Sequence, residues 1–182
     1  NRFLTPFAKR IFVTYKDIQG IKTKYKDKTI VVGNIIRENI LNFSKSNGYE
    51  TEDGLNILVL GGSQAAKIFA EKLPDIFVNC KKNGIHFKVY QQCLNEQKFD
   101  LQKIYETNNI NYELFSFTFN ILKYYKLANL VITRAGSSAL AELLNCKIPI
   151  ISIPLASSSE NHQLQNAQYF IKKGFGILVE EK

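Results

Sequence analysis

The chain has 182 residues, 45% of them hydrophobic, and a formal net charge of +8, a composition that predicts a soluble globular protein with one substantial core. No apolar run approaches the roughly 18 residues needed to cross a bilayer, and residues 1–10 lack the apolar centre of a signal peptide, so a cytosolic location is expected. The three cysteines, Cys80, Cys93 and Cys146, lack the close pairing of a zinc or CxxC site, which favours reduced thiols.

The first predicted elements are two short strands in a basic segment. Residues 10–14 and 29–32 have the composition of strands, and a polar, lysine-rich stretch separates them. Nine Lys and Arg against two Asp make residues 1–37 strongly basic, while the remaining chain is almost neutral. This distribution suits an anionic membrane surface, a nucleic-acid arm or a solvated lysine-rich edge.

Two domains are predicted. Residues 1–32 are interpreted as the remnant of a preceding domain, and residues 33–182 as a second, nearly complete one. Residues 42–54 read as a loop, because their Ser, Asn, Gly and acidic residues disfavour a packed element. The chain ends directly after a predicted strand, where a doubly wound domain usually continues into another helix. We therefore expect it to be truncated at its C-terminus, and trimmed at its start.

From Leu55 onward, short apolar β-rich runs alternate with longer amphipathic stretches. This alternation predicts consecutive βαβ units, and hence an α/β, Rossmann-like parallel sheet with helices on both faces. The predicted strands are 56–60, 85–90, 111–114, 130–133, 149–153 and 176–179. The predicted helices are 64–73, 95–106, 120–126, 138–145 and 161–173.

The first candidate site follows the strand at 56–60. Gly61 and Gly62 allow a tight turn, and Ser63 and Gln64 then begin the predicted helix. Free N–H groups and the positive end of a helix dipole favour an anion such as a diphosphate. The spacing matches neither GxGxxG nor GxxxxGK[ST], and a Gly-Gly turn of this kind is structural about as often as it is functional.

The second candidate site follows the strand at 130–133. Arg134, Gly136, Ser137 and Ser138 form a turn and a helix start, again at the carboxyl end of a strand, where open α/β sheets bind ligands. Glu142 lies about one turn further on, where a carboxylate can accept hydrogen bonds from the two hydroxyls of a ribose. The alternative is an exposed, helix-favouring glutamate.

The third candidate site follows the strand at 149–153. Gln163 and Asn166 are three residues apart and share a helix face, so they can bind sugar hydroxyls, with His162 beside them. A single histidine near a helix start is more often a surface residue than a catalyst. The other histidine, His86, lies within a predicted strand, so neither a Ser/His/Asp set nor a metal cluster is indicated.

The three loops converge on one edge of the sheet, where they can hold a diphosphate, a ribose and a sugar. Four motifs, in this order and spacing, resemble the MurG family of bacterial glycosyltransferases: Gly-Asn-Ile-Ile-Arg at 33–37, Gly-Gly-Ser-Gln at 61–64, Arg-Ala-Gly-Ser at 134–137 with Glu142, and His-Gln at 162–163 with Asn166. The similarity spans essentially the whole chain.

The resemblance implies the C-terminal half of a GT-B glycosyltransferase, which binds UDP-GlcNAc and transfers GlcNAc to lipid-linked muramoyl-pentapeptide with inversion and without a metal or other cofactor. It places Arg37 and Ser63 near the diphosphate, Glu142 at the ribose and Gln163 at the GlcNAc hydroxyls, with Gln64 and His162 adjacent.

The resemblance also implies that the general base and the lipid-acceptor groove belong to an N-terminal domain or a partner chain. The chain alone is therefore expected to be inactive. In this interpretation the whole enzyme is peripheral on the inner, cytoplasmic face of an anionic cell membrane and takes part in cell-wall synthesis.

Three departures from the family pattern stand in the site. Ala65 replaces a glycine after the Gly-Gly-Ser-Gln turn, and its methyl group can crowd a phosphate. Residues 90–93 replace a strand end that contains histidine and glycine. Residues 117–120 replace the usual aromatic-Ile-Asp pattern near the uracil, which makes uridine recognition the least secure role.

Two other functions stay open. One is the separate donor subunit of a two-component dolichol-linked GlcNAc transferase, which resembles the same half and needs a membrane-bound partner. The other is a non-catalytic binding module that uses the basic leading segment. RNA-binding and helix-turn-helix signatures are not evident in the sequence, so nucleic acid is not the expected partner.

Overall fold

The computed structural model describes residues 3–16, 21–43, 54–62, 67–156, 158 and 161–181. The chain divides into two units, Asn1–Ile35 and Ile36–Lys182. The interpretation of residues 1–32 as the end of an acceptor-side domain, and of 33–182 as a donor-binding domain, stays a prediction.

The first unit contains a pair of short parallel strands, β1 (Ile11–Val13) and β2 (Thr29–Val31), connected through a 3-10 helix at Thr23–Lys28. Both strands lie inside the segments predicted to be extended. Val13 is buried. The ammonium group of Lys28 donates to the carbonyl oxygens of Pro6 and Ala8, at 3.1 and 2.9 Å, and so joins the end of the 3-10 helix to the segment before β1.

The second unit alternates strands and helices along its described residues, as the sequence predicts. Its strands are β3 (Leu55–Leu60), β4 (Phe87–Gln92), β5 (Asn111–Phe115), β6 (Leu130–Thr133), β7 (Ile150–Ser152) and β8 (Gly176–Leu178). Its helices are α1 (Glu38–Leu41), α2 (Lys67–Lys82), α3 (Asn95–Thr107), α4 (Leu122–Leu127), α5 (Ser137–Asn145) and α6 (His162–Ile171).

The six strands form one parallel sheet in the order β5-β4-β3-β6-β7-β8. Leu58 and Val59 are both fully buried, although successive residues of a strand point to opposite faces, so helices cover both faces of the sheet. Helices α2 and α3 pack together, and α5 packs with α1 and α6. The predicted α/β, Rossmann-like class is therefore confirmed.

The strand order reverses direction between β3 and β6. From β3 the chain moves outward through β4 to β5, then returns to place β6 on the other side of β3. The loops after β3 and β6 therefore leave the sheet in opposite directions and open a crevice between them. This switch point is where doubly wound sheets bind ligands.

Helix α2 is longer than predicted. The expected helix ended at Leu73, directly before Pro74, yet α2 continues through the proline to Lys82. Proline removes one backbone donor. Phe69, Leu73 and Phe77 lie four residues apart and are all buried in the core with α3, so packing of this face outweighs the lost hydrogen bond.

Two smaller differences concern the ends of elements. His86 precedes β4 instead of lying in it, and its carbonyl oxygen accepts from the backbone N–H of Leu55 at 3.0 Å. Helix α1 was not predicted. Most of the loop predicted at 42–54 lies outside the described residues.

None of the helices in the described ranges is long and apolar enough to pass through a membrane.

Candidate functional site

The first wall of the site is the turn after β3. Leu60 is buried at the end of the strand, and Gly61 and Gly62 follow it at the carboxyl edge of the sheet. Gly62 has a φ of +80°, a left-handed conformation that glycine adopts without steric cost. Ser63 and Gln64, which we expected to complete a phosphate-binding turn, lie outside the described residues, as does Ala65.

The second wall is the turn from β6 into α5. Leu60 and Thr133 are register partners, so this turn leaves the sheet beside the first one. Gly136 caps α5, and Glu142 follows within the helix. Glu142 is only 7% exposed. The alternative of a solvated, helix-favouring glutamate is therefore wrong, because a buried carboxylate needs partners.

Arg37 is the main partner of this carboxylate. Its Nε and Nη2 donate to Oε1 and Oε2 of Glu142, both at 2.8 Å. Arg37 directly precedes α1, which is anchored to α5 because Ile40 is fully buried and the Asn145 side chain donates to the Ile40 carbonyl at 2.7 Å. The hydrogen bonds that Arg37 donates to Glu142 raise the pKa of Arg37, so the guanidinium stays positively charged.

Tyr125 is a second partner that sequence reasoning missed. It lies in α4, is 2% exposed, and its hydroxyl donates to Glu142 Oε2 at 3.2 Å. Burial, with the negative charge of Glu142 adding to it, raises the pKa of Tyr125 far above its usual value, so the hydroxyl stays a donor. Burial and Glu142 also raise the pKa of Cys146 to about 11. Tyr125 precedes Glu142 by 17 residues, and the sequence of α4 carries no local signal of this contact.

The hydrogen-bond partners of Arg134 were not predicted from the sequence. We expected it among the UDP-sugar-binding residues, and it does line the cleft. Its guanidinium, however, donates to both carboxylate oxygens of Glu181, at 2.8 and 3.2 Å, and to the carbonyl of Ile153 at 3.2 Å. It also lies 4.9 Å from the centre of the Phe69 ring. The chain itself therefore satisfies this guanidinium, which joins three segments at the carboxyl edge of the sheet.

Glu181 completes that contact from the segment after β8. The hydrogen bonds from Arg134 hold the pKa of Glu181 below its ordinary value, and the backbone N–H of Ala156 adds to this effect. One carboxylate thus ties together the loops that follow β6, β7 and β8.

The third wall is the loop after β7 and the start of α6. Gln163 lines the cleft, and its Oε1 accepts from the Leu155 backbone N–H at 3.0 Å. The Asn166 amide donates to the Ala135 carbonyl at 3.1 Å, so it fastens α6 to the turn after β6 rather than lining the cleft. His162 is exposed at the start of α6.

These walls enclose a cleft of about 1230 Å³, large enough for a nucleotide sugar. Eight of the residues predicted to bind the ligand line it: Arg37, Gly61, Gly62, Arg134, Gly136, Ser138, Glu142 and Gln163. Three others that the structure describes, Ser137, His162 and Asn166, are not among its lining residues. The cleft therefore brings together residues from all three predicted loops.

Aromatic side chains form the side of the cleft beyond β4 and β5. Phe117 and Phe119 both line it, are 65% and 86% exposed, and meet edge to face with ring centres 4.9 Å apart. Gln92, at the end of β4, lies on the same side. Two of the segments in which the sequence departs from the resembled family, residues 90–93 and 117–120, therefore border the cleft. Lys67, at the start of α2, adds a cation that sequence reasoning did not select.

No group of three metal-binding side chains occurs in the part of the chain that the structure describes. The cleft contains two arginines, a lysine, buried and exposed carboxylates, amides and glycine turns. Such groups bind phosphates and hydroxyls.

A doubly wound parallel sheet with a cleft at its switch point defines a Rossmann-like, nucleotide-binding class of domain. Within this class, the model of the glycosyltransferase family 28 C-terminal domain matches residues 56–182. The chain therefore belongs to glycosyltransferase family 28.

Two bacterial relatives align with the entire chain. A protein of Rickettsia canadensis is 38% identical, and one of Pelagibacter ubique is 36% identical. Both are named UDP-N-acetylglucosamine–N-acetylmuramyl-(pentapeptide) pyrophosphoryl-undecaprenol N-acetylglucosamine transferase. The alignments cover 52% and 50% of these proteins, so the chain spans about half the length of the curated relatives it matches.

The fold is similar to that of a solved glycosyltransferase. The crystal structure of Acinetobacter baumannii MurG superposes with a TM-score of 0.75 at 23% identity, over 98% of this chain and 48% of that protein. This likeness identifies the fold as that of the C-terminal half of a GT-B glycosyltransferase.

Proposed function

We propose that this chain is the donor-binding half of a glycosyltransferase that transfers GlcNAc from UDP-GlcNAc, with inversion, to lipid-linked muramoyl-pentapeptide in peptidoglycan synthesis. The names of its full-length bacterial relatives support the donor and the acceptor. The observation that carries the proposal is the cleft at the switch point, where Arg37, Glu142 and the turn at Gly61 and Gly62 line one cavity.

The nucleotide end of the donor fits the centre of this cleft. Glu142 is a buried carboxylate in α5, and a carboxylate accepts hydrogen bonds from the paired hydroxyls of a ribose. Phe117 and Phe119 offer exposed ring faces on the β5 side, where a base can stack. We place the uridine between these two groups.

The diphosphate fits the glycine turn after β3. Gly62 adopts the left-handed conformation that lets the backbone approach a ligand closely, and Ser63 and Gln64 follow it. Arg37 supplies charge-assisted hydrogen bonds that strengthen as negative charge grows on the departing UDP. The Lys67 ammonium, on the same wall, adds to this positive field.

The sugar then lies against the third wall. Gln163 lines the cleft there, and we assign it to the GlcNAc hydroxyls. Its Oε1 already accepts from the Leu155 backbone, which orients the amide so that its nitrogen is the group presented to an acceptor oxygen. In this proposal Arg134 and Asn166 act on the shape of the site through Glu181 and Ala135, instead of touching the donor.

Transfer itself requires groups from outside this cleft. A general base must take the proton of the acceptor hydroxyl, and we propose that a preceding domain or a partner chain supplies it, together with the lipid-acceptor groove. We also propose a peripheral position on the cytoplasmic face of an anionic membrane; the undecaprenol group in the relatives' names supports the contact with a membrane. In this proposal the chain binds UDP-GlcNAc but does not turn it over.

Isothermal titration calorimetry with UDP-GlcNAc and UDP tests donor binding. We expect saturable one-to-one heats with both ligands, and weaker heats with ADP, because the walls select the base as well as the phosphates. The absence of saturable heat with either uridine nucleotide at millimolar concentration would contradict the proposal.

The chain offers a matched pair of carboxylates for the control. Glu142 accepts from the Tyr125 hydroxyl inside the cleft, while Glu113 accepts from the Tyr124 hydroxyl at 3.0 Å and does not line the cleft. We expect Glu142→Gln to weaken UDP binding and Glu113→Gln to leave it unchanged. Equal effects of the two substitutions would argue against ribose binding by Glu142.

A further inference from the structure

The Glu142 carboxylate has almost no acceptor capacity left for a ligand. A carboxylate offers about four lone-pair sites. Arg37 uses one site on each oxygen, at 2.8 Å, and Tyr125 uses another on Oε2. About one site remains, whereas the two hydroxyls of a ribose need two. A ribose bound at Glu142 must therefore displace one of the present donors.

We propose that Arg37 is the donor that leaves, and that it exchanges Glu142 for the diphosphate when the nucleotide binds, while Tyr125 holds the carboxylate in position. This inference rests on the proposed function, because it assigns Glu142 to the ribose. It makes Tyr125 a positioning residue for nucleotide binding, and places the Arg37 guanidinium where we propose that the ribose binds.

The burial of the two donors decides which one moves. The Arg37 side chain is 47% exposed, so its guanidinium can be solvated as it swings from one partner to another. Tyr125 is 2% exposed. A tyrosine hydroxyl that lost its acceptor there would keep the full desolvation cost of an unpaired buried group.

The charges explain why the exchange needs a phosphate. Arg37 compensates the charge of the buried Glu142 carboxylate, which would otherwise be costly. A diphosphate carries more negative charge than one carboxylate and accepts the same paired hydrogen bonds, so it provides a new partner for the guanidinium. Uridine lacks the phosphates, so it has to break the Arg37–Glu142 pair without providing a new acceptor for the Arg37 guanidinium.

Uridine and UDP therefore test the exchange against each other. In the Arg37→Ala variant of the 182-residue chain, we expect uridine to bind about threefold or more tighter, because its competitor for Glu142 is gone. UDP should bind about tenfold or more weaker, because the diphosphate loses its cation. Titrations followed by NMR measure both affinities, and circular dichroism checks the fold. A folded variant whose uridine affinity is unchanged or lower would overturn the exchange.

The Arg37 side chain provides a second, direct readout. Its Nε–H resonance, assigned by its loss in Arg37→Lys, should shift when UDP saturates the chain, because the proton changes its acceptor from Glu142 to a phosphate. This resonance tests the exchange even if uridine binds too weakly to saturate the chain. An Nε–H resonance that UDP leaves in place would overturn the exchange.

The positioning role of Tyr125 is tested by comparison with Tyr124. We expect Tyr125→Phe to weaken uridine and UDP by the same factor, about three- to tenfold, because the carboxylate loses its fixed donor. Tyr124→Phe removes a hydroxyl that bonds Glu113, and should change neither affinity. If Tyr125→Phe also changed neither, the positioning role would be wrong. An unaltered chain that fails to bind UDP contradicts the proposed function as well, whereas UDP binding with the pair intact contradicts only the exchange.

Discussion

Two arginine–glutamate pairs lie at the same cleft, and they differ in burial rather than in chemistry. Arg37 and Glu142 meet through two hydrogen bonds of 2.8 Å, and Arg134 and Glu181 through bonds of 2.8 and 3.2 Å. The Arg37 side chain is 47% exposed, against 10% for Arg134. An arginine that keeps access to water can change its partner, while a buried one is part of the structure.

The surroundings of the two guanidinium groups reinforce this difference. Arg134 also donates to the Ile153 carbonyl and lies against the Phe69 ring, so moving it would break three kinds of contact at once. In the other pair it is the carboxylate that is buried, since Glu142 has a side chain only 9% exposed. The first pair is therefore suited to a ligand, and the second to holding the loops around it.

The largest effect is expected from breaking the buried pair. Arg134→Ala leaves Glu181 and the Ile153 carbonyl without this donor, and should lower the free energy of unfolding by about 2–4 kcal/mol. Urea denaturation followed by circular dichroism measures it. Lys123→Ala, which breaks an exposed pair with Glu113, is the control and should cost about 1 kcal/mol or less. Similar losses in both variants would remove the distinction that burial makes.

Acid should remove part of the stability that the Arg134–Glu181 pair contributes. Because Arg134 lowers the pKa of Glu181 from its ordinary value of 4.5, the folded chain binds fewer protons at this group than the unfolded chain does. The contribution of Glu181 is thus complete above the ordinary pKa and is lost as pH falls through the lower, folded value. We expect unfolding free energies of the unaltered chain and Glu181→Gln to converge as pH drops below about 4.5. Parallel pH profiles would show that the pair contributes nothing through this ionisation.

The next effect concerns the ligand rather than the fold. Glu142→Ala removes the proposed ribose acceptor and should weaken UDP binding by about 1–3 kcal/mol, measured by calorimetry. Comparison of UDP with 2′-deoxy-UDP sharpens the test, since the preference for UDP should shrink in the variant. Unchanged UDP affinity in a folded Glu142→Ala chain would remove Glu142 from the nucleotide site.

The smallest effect is expected from the exposed arginine. Arg37→Ala should lower the free energy of unfolding by about 1–2 kcal/mol, because the buried Glu142 carboxylate loses its cation but keeps the Tyr125 hydroxyl as a donor. The same urea denaturation measures it. A loss as large as that of Arg134→Ala would mean that both pairs are structural, and would weaken the proposed exchange.

Much of the fold was predictable because its signals are local. The strand predicted at 130–133 is confirmed as Leu130–Thr133, and the other predicted strands differ by one or two residues at their ends. The helix around Pro74 was predicted too short, because proline suggests a local break while the burial of Phe77 beyond it depends on the rest of the core.

The candidate site was predictable in its location but less so in its contacts. Glu142 and Gln163 do line one cleft, as the loops at strand ends indicated. Arg134 and Asn166 were expected at the ligand, and this role stays a prediction; Arg134 lines the cleft, but the bonds from Arg134 to Glu181 and from Asn166 to Ala135 were not foreseen. Their partners lie 47 and 31 residues away, beyond the reach of any sequence pattern.

The sequence by itself determined the alternation of strands and helices, and with it the edge of the sheet where the glycine turns and Glu142 lie. Periodicity and turn chemistry are properties of neighbouring residues, so they can be read along the chain. Only the tertiary structure decided that Glu142 bonds Arg37, 105 residues away, and that the Tyr125 hydroxyl donates to the same carboxylate. Hydrogen bonds and burial depend on distance in space, and packing alone sets that distance for residues far apart in sequence.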